Sequence, residues 1–293
     1  LKFVTNSYSL AKETKEILQE NGIHLNKKLG QNYLIDDFKR KKIISFGELN
    51  KDDIVLEIGP GIGTLTIELA KKAKKVIAIE QDLNIFNILK KRLDNENIQN
   101  VELIHGDAVK IDFPKFNKII SNLPYQISSP ITFKFLEYDF DLAILMYQKE
   151  FARRMKVKLN TKDYSRLSAM LYFKGNFEFL DDVSPESFIP KPKIDSTVIK
   201  LTPKNIPIDL DIINNQYKKI CKALFQHKNK KIRNALIDSR HEIGYSDKKE
   251  LKSLLNNLVK VEPDLEAFLS RRTITMAPKE ILSLTKILKA IVR

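Results

Sequence analysis

The 293-residue chain has a single cysteine, Cys221, and only four histidines. One thiol excludes an internal disulfide and any multi-cysteine zinc site, and it fits a reducing compartment. His24, His105, His227 and His241 show no metal-ligand spacing, so no metal is expected. No apolar run approaches the roughly 18 residues of a spanning helix, which argues against an integral membrane protein. The N-terminal "LKFVTNSYSLAKETKEIL" lacks the apolar core of a secretion signal and the Arg-rich, acid-poor character of a transit peptide. The expected location is therefore the cytoplasm, or the nucleus and nucleolus for a eukaryotic source. Internal repeats and low-complexity segments are missing as well.

What is present begins with positive charge. Lys and Arg number 51 against 37 Asp and Glu, a net +14, and the excess is uneven. Residues 203–293 hold 19 basic against 10 acidic side chains, while residues 1–202 hold 32 against 27. A local excess of that size concentrates polyanions, so nucleic acid is the first partner to consider and an anionic membrane surface a weaker second. Apolar residues at 43% are ample for a large domain with a smaller companion.

Along the chain, residues 9–21 read as a helix closed by Gly22, followed by the basic link "LNKKLGQNYLID". From there strands and helices alternate. "IVLEIG", "KVIAIE", "VELIHGD", "NKIISNLPY" and "DLAILMYQ" read as strands, and "TLTIELAKKA", "LNIFNILKKRL" and "ITFKFLE" as helices. That alternation predicts a Rossmann-like α/β domain with a mostly parallel sheet covered on both faces. "FEFLDDVS" and "STVIKLTP" are expected as an antiparallel pair at its end. After the proline-bearing "TPKNIPIDL" the pattern is helical, giving expected divisions at residues 1–26, 27–203 and 204–293, the last an all-helical basic domain.

"EIGPGIG", residues 57–63, joins the first strand of this alternation to its helix, and Gly59, Gly61 and Gly63 admit a ligand close to the backbone. The spacing is G-x-G-x-G, not the dinucleotide G-x-G-x-x-G, and Glu57 would repel a pyrophosphate. A nucleoside with a cationic amino-acid end and no phosphate fits better, and S-adenosylmethionine is such a ligand. Glu80, at the end of "KVIAIE", is placed to accept both ribose hydroxyls. Asp107, followed by Ala108, is placed to accept from an adenine amine. Singly each carboxylate reads as a solvated cap; at successive strand ends on the ligand-binding edge they point to a cofactor.

Asn122-Leu123-Pro124-Tyr125 ends the next strand on the same edge. A purine exocyclic amine is a poor nucleophile because its lone pair is delocalised. The Asn122 side-chain carbonyl and the Leu123 backbone carbonyl, accepting from that amine, would localise the pair for attack on a sulfonium methyl. Pro124 stiffens the backbone, and Tyr125 offers a stacking face to the base. Chemistry at a pyrimidine carbon is disfavoured, since it needs a thiolate and Cys221 lies in the helical region.

With "LGQNYLID", "LEIGPGIGTLT", "VIAIEQD", "GDA", "NLPYQISSPI", "FIPKPKIDS" and "FQHKNKKIRNAL" in that order, the chain resembles the small-subunit ribosomal RNA adenine dimethyltransferases, from about Lys27 to about Leu236. The resemblance implies a class I S-adenosylmethionine-dependent enzyme that dimethylates two adjacent adenosines near the 3′ end of that RNA, leaving S-adenosylhomocysteine. It implies Asn32, Leu34, Gly59, Glu80, Asp107 and Asn122 at the cofactor, and Asn122 and Tyr125 at the base with Phe188 on its other face. RNA contacts are expected from Lys228, Lys230, Lys231 and Arg233, although the family often carries consecutive arginines there, and Tyr33 stands where Phe is usual. "QISSPITFKFL" and "LMYQKEFARRM" look more like archaeal or eukaryotic members than bacterial ones. The expected substrate is a partly assembled small subunit met by a monomer. A large-subunit RNA methyltransferase of the resistance type, and a mainly non-catalytic assembly or transcription factor on the same fold, are the alternatives.

Overall fold

The computed structural model describes residues 9–23, 32–204 and 209–293. The expected boundary at residues 26/27, the start of the resemblance at Lys27, the first three residues of "LGQNYLID" and the middle of "TPKNIPIDL" lie outside them. The chain forms two compact units, Leu1–Ala152 with Asn176–Pro203, and Arg153–Gly175 with Lys204–Arg293. Among the described residues, no helix is long and apolar enough to cross a membrane.

In chain order the first unit runs α1 (Leu10–Glu20), β1 (Tyr33–Leu34), α2 (Asp37–Phe46), β2 (Ile54–Ile58), α3 (Thr66–Lys72), β3 (Lys75–Glu80), α4 (Leu83–Asn95), β4 (Val101–His105), β5 (Lys118–Asn122), α5 (Ser128–Phe135) and β6 (Leu142–Gln148). After α6 (Lys149–Arg153) and α7 (Arg166–Leu171) come β7 (Gly175–Val183), β8 (Phe188–Ile189) and β9 (Ser196–Pro203). Seven strands order as β4-β3-β2-β5-β6-β9-β7. β4, β3, β2, β5 and β6 are parallel to their neighbours, and β9 runs antiparallel to β6. The mostly parallel Rossmann-like sheet read from the alternating pattern is therefore present. The near-continuous burial of β3, β5 and β6 is that of strands covered on both faces, whereas edge strand β4 is only half-buried.

The strand order reverses between β2 and β5, where an open α/β sheet forms its ligand crevice. Their paired residues are Val55↔Lys118 and Leu56↔Ile119, near the base of the strands. Further up, the Ser121 hydroxyl takes over, donating to Ile58 O at 2.6 Å and accepting from Ile58 N at 3.3 Å. A buried side chain thus satisfies backbone groups while the strand ends part.

Two local readings differ from expectation. "NKIISNLPY" stops being strand at Asn122; Tyr125–Ile127 form a 3₁₀ turn and α5 starts at Ser128. Pro124 has no N–H for a ladder, and the Ser128 hydroxyl donates to Tyr125 O at 2.9 Å, which favours the turn. Strand pairing also joins β1 to β8, with Tyr33 opposite Ile189 and Leu34 opposite Phe188; two-residue strands carry no periodic signal.

The second unit adds Arg153–Gly175 to the C-terminal helices, a segment that the linear reading kept with the sheet. Aromatic contacts within the unit explain it. Tyr164 packs edge-on to Phe225 at 5.1 Å and donates to Met276 O at 2.6 Å, while Tyr217 donates to Ala169 O and meets Phe173 edge-on at 5.4 Å. Its further helices are α8 (Leu210–Ile212), α9 (Lys218–Gln226), α10 (Ile232–Asp238), α11 (Lys248–Val261), α12 (Asp264–Ser270) and α13 (Pro278–Leu288). Dividing the charge by these units sharpens its asymmetry. The second unit holds 26 Lys and Arg against 11 Asp and Glu, and the first holds 25 against 26. The entire positive excess belongs to the helical unit.

Gly63 illustrates what the core demands of the glycine turn. Its φ is +91°, and a Cβ there would lie 2.6 Å from the Cδ1 of fully buried Leu89 on α4. Gly63→Ala is expected to cost about 2–3 kcal/mol of unfolding free energy, from left-handed strain and overpacking together. Denaturant titration of the variant beside the parent measures it.

Candidate active site

Along the C-terminal edge of the sheet one cleft gathers Glu57, Gly59, Gly61, Glu80, Asp107, Ala108 and the loop Asn122–Ile127, with Asn32, Tyr33 and Leu34 closing one side. Each is there for a local reason. Glu57, Glu80 and Asn122 lie at or near the ends of β2, β3 and β5, and Asp107 follows β4, so parallel strands deliver four polar side chains to one level. Gly59 and Gly61 have φ of +67° and +57°. A Cβ at Gly59 would meet Pro124 Cγ at 2.9 Å, and one at Gly61 would meet Tyr33 Cε1 at 2.8 Å. These two glycines let the neighbouring loops approach, which is a tighter demand than the ligand access inferred from sequence.

The expected cofactor positions Asn32, Leu34, Gly59, Gly61, Glu80, Asp107, Ala108 and Asn122 all line this cleft; Gly63 packs on α4 instead. The expected base-contacting residues Asn122, Leu123, Pro124 and Tyr125 line it too. Phe188 does not: it is 1% exposed in the hydrophobic core, on β8. Lys228 donates to the Lys162 and Tyr164 carbonyls, Lys230 pairs with Asp238 at 2.9 Å, and Arg233 donates to Asn256 and Glu266. Of the four basic candidates, Lys231 is exposed at the start of α10 and makes no side-chain bond to a described residue.

The carboxylates are unusual in their burial. Glu80 accepts from Gly61 N at 3.2 Å through Oε2 and from Asp82 N at 2.9 Å through Oε1. Burial raises its pKa above the ordinary carboxylate range, and the backbone donors hold it back. Glu57 is 2% exposed, and its Oε2 has no hydrogen-bond partner among the described residues. Burial first, with Glu80 adding to it and the Thr66 hydroxyl opposing, pushes Glu57 up to about 8. A buried carboxylate without a donor is expensive unless a cation joins it. The cleft therefore fits a ligand with a cationic end at Glu57 and hydroxyls for Glu80. Sequence reasoning used Glu57 only as a charge that repels phosphate; its place two residues before Gly59 was the available signal for a direct role.

The loop is anchored at both polar ends. Asn122 Nδ2 donates to Asn32 O at 3.0 Å, which orients the amide and leaves Oδ1 without a partner among the described residues. The Tyr125 hydroxyl bonds the buried Ser196 hydroxyl at 2.7 Å, and burial raises its pKa. Tyr33 lacks such a partner among the described residues: its buried hydroxyl meets none of them, and burial followed by the charges of Glu80 and Asp82 keeps it protonated.

Comparison with known proteins gives a consistent set of relatives. The family described as "Ribosomal RNA adenine dimethylase" matches residues 22–265. A "Probable ribosomal RNA small subunit methyltransferase A" of Methanosphaera stadtmanae is 54% identical over 246 residues, covering 84% of this chain and 89% of that one. Its namesake from Methanothermobacter thermautotrophicus is 51% identical over 79% of this chain and 82% of its own. Among solved structures, a dimethyladenosine transferase from Plasmodium falciparum superposes with a TM-score of 0.72 at 30% identity, covering 88% of this chain and 97% of its own. The 23S rRNA methyltransferase ErmE gives 0.61 at 26% identity, with 88% and 99% covered.

The buried carboxylate yields a pH test. The folded value of Glu57 lies above its ordinary 4.5, so the unfolded chain releases this proton first and stability falls as pH rises from about 4.5 to about 8. Glu57→Gln is expected to gain on the parent through that window by about 1.4 kcal/mol per pH unit. Unfolding free energies of both proteins at several pH values check the slope.

Proposed function

The chain belongs to the ribosomal RNA adenine dimethylase family, and on that premise we propose how its residues divide the work. It is an S-adenosylmethionine-dependent rRNA adenine dimethyltransferase, and small-subunit rRNA is its substrate. The proposed targets are two adjacent adenosines near the 3′ end of that RNA. The observation that carries the reading is the single cleft in which a pre-oriented Asn122 stands beside Glu57, Glu80 and Asp107.

When bound, S-adenosylmethionine supplies an electrophilic sulfonium methyl. Glu57 holds the cationic amino-acid end, which explains a buried oxygen with no protein donor. Glu80 takes the ribose hydroxyls with the lone pairs that Gly61 and Asp82 leave. Asp107 accepts from the adenine amine, and the Ala108 N–H, which no described residue accepts, faces the ring nitrogen beside it. At the base, Asn122 Oδ1 and the Leu123 carbonyl accept the target amine's hydrogens and localise its lone pair. The Asn32 carbonyl prevents the Asn122 amide from turning its NH₂ to the base. Tyr125, tethered by Ser196, stacks on the base, and Phe188 supports the opposite side from within the core. The proton left after transfer goes to water, so no histidine is required.

The helical unit is the RNA-docking part, since it alone carries net positive charge. Lys228, Lys230 and Arg233 serve there by shaping the surface that Lys231 presents. A charge concentrated on one unit suits folded RNA of a partly assembled subunit, met by a monomer in the cytoplasm.

Labelled methyl donor incubated with small-subunit particles, naked small-subunit RNA and large-subunit RNA tests the assignment. Label is expected in small-subunit adenosines, and Asn122→Ala is expected to lower the rate by at least about 100-fold. Label confined to large-subunit RNA overturns the substrate, and an Asn122→Ala enzyme of full activity overturns the mechanism. Lys231→Glu is expected to weaken RNA binding and to flatten its dependence on log salt by about one to two ions, read by fluorescence anisotropy.

A further inference from the structure

The turn after β4 carries Asp107 and Ala108 into the cleft, and its own backbone is short of partners. Asp107 opens it like a helix cap: its carbonyl accepts from Lys110 N at 2.9 Å and Ile111 N at 3.1 Å, and its Oδ1 accepts from Val109 N at 3.0 Å. A single helical turn leaves carbonyls unsatisfied at its far end. One side chain meets them. Lys134 on α5 donates Nζ to Ala108 O at 2.9 Å, to Val109 O at 3.3 Å and to Ile111 O, with the Phe113 ring centroid 4.4 Å from the ammonium. An ammonium has three N–H donors, and here three carbonyls take them. Positive charge at the C-terminal end of a helical turn also opposes its dipole.

We infer that Lys134 is a positioning residue for methyl transfer: it fixes the adenine-facing turn Asp107–Ile111 to the helix that begins just after the target-base loop. The inference rests on the cofactor reading of Asp107 and Ala108 proposed above. Lys134 touches neither ligand; it sets where the Asp107 carboxylate and the Ala108 N–H stand. Because α5 starts at Ser128, whose hydroxyl holds Tyr125 O, the same helix braces the base loop at one end and the cofactor turn about 1.7 turns later. A neutral side chain at position 134 frees three carbonyls, and the turn loses its register against the cleft. Cofactor affinity should suffer before the chemical step.

The test uses S-adenosylhomocysteine binding by calorimetry, steady-state methylation of small-subunit particles, and thermal unfolding, on the full chain. Lys134→Met is expected to weaken S-adenosylhomocysteine binding and raise KM for the methyl donor roughly tenfold, with kcat at saturation within about twofold of the parent. Lys134→Arg, which keeps charge and donors in a planar geometry, is expected to recover part of that loss. Lys134→Gln replaces the Met variant if the latter does not fold, with the same expectation. Asp107→Ala separates the two levels of the argument. Weakened binding in Asp107→Ala beside parental binding in the folded Lys134 variants overturns the role of Lys134 alone. Parental binding in Asp107→Ala overturns the cofactor reading of the turn, and the Lys134 proposal with it. A lowered melting temperature with unchanged affinity and KM identifies a merely structural lysine and also overturns it.

Discussion

The space left by two missing Cβ atoms governs this site. Pro124 occupies the room beside Gly59, and the Tyr33 ring occupies the room beside Gly61. Any larger residue at either position would push the loop after β5 or the β1 segment off the glycine turn. Everything that must act together in the cleft therefore meets at residues 59–61: the end of β2, the loop after β5, and the short strand whose preceding carbonyl orients Asn122. Ser121 completes the constraint by tying β5 to Ile58 beneath the point where the strands part. A crevice at a switch point is a property of the sheet; its closeness is a property of these contacts.

Electrostatics in the two units follow opposite rules. In the first, nearly balanced in charge, Glu57 and Glu80 are buried, so their pKa values are raised and their interactions with a cationic ligand are poorly screened by water. In the second, charge is displayed on exposed cations that salt screens readily. The first arrangement suits tight recognition of a small cation and the second suits search along a large polyanion. Basic residues inside the second unit are not all part of that display. Lys228 spends its ammonium on two carbonyls of the Arg153–Gly175 segment, and Arg233 bridges Asn256 and Glu266.

Much of the fold was legible because parallel strands buried on both faces write uninterrupted apolar runs, and because Gly, Pro and Asn mark the turns between elements. The cleft was legible through strand ends: Glu80, Asp107 and Asn122 each terminate or follow an apolar run, and topology forces such ends onto one edge. The unread parts share a physical cause. The β1–β8 pairing involves two residues on each side, too few for a periodic pattern. The membership of Arg153–Gly175 in the helical unit depends on Tyr164 and Tyr217 reaching hydrogen-bond partners 112 and 48 residues away in the chain. Lys134 carries no signal in the sequence, since nothing local shows that three carbonyls face it.

The sequence by itself determined the class of sheet, the order of its parts, the family to which the chain belongs and the sign of the partner's charge. Those depend on residue type and on spacing within an element, which the chain states directly. Tertiary structure alone decided which charges are free and which are spent, that Glu57 is a buried unpaired acid, that Phe188 lies in the core, and that Asn122 is oriented by a carbonyl 90 residues earlier. These are outcomes of burial and of partners distant in sequence, and the energy of a charged or polar group depends on those surroundings more than on its identity.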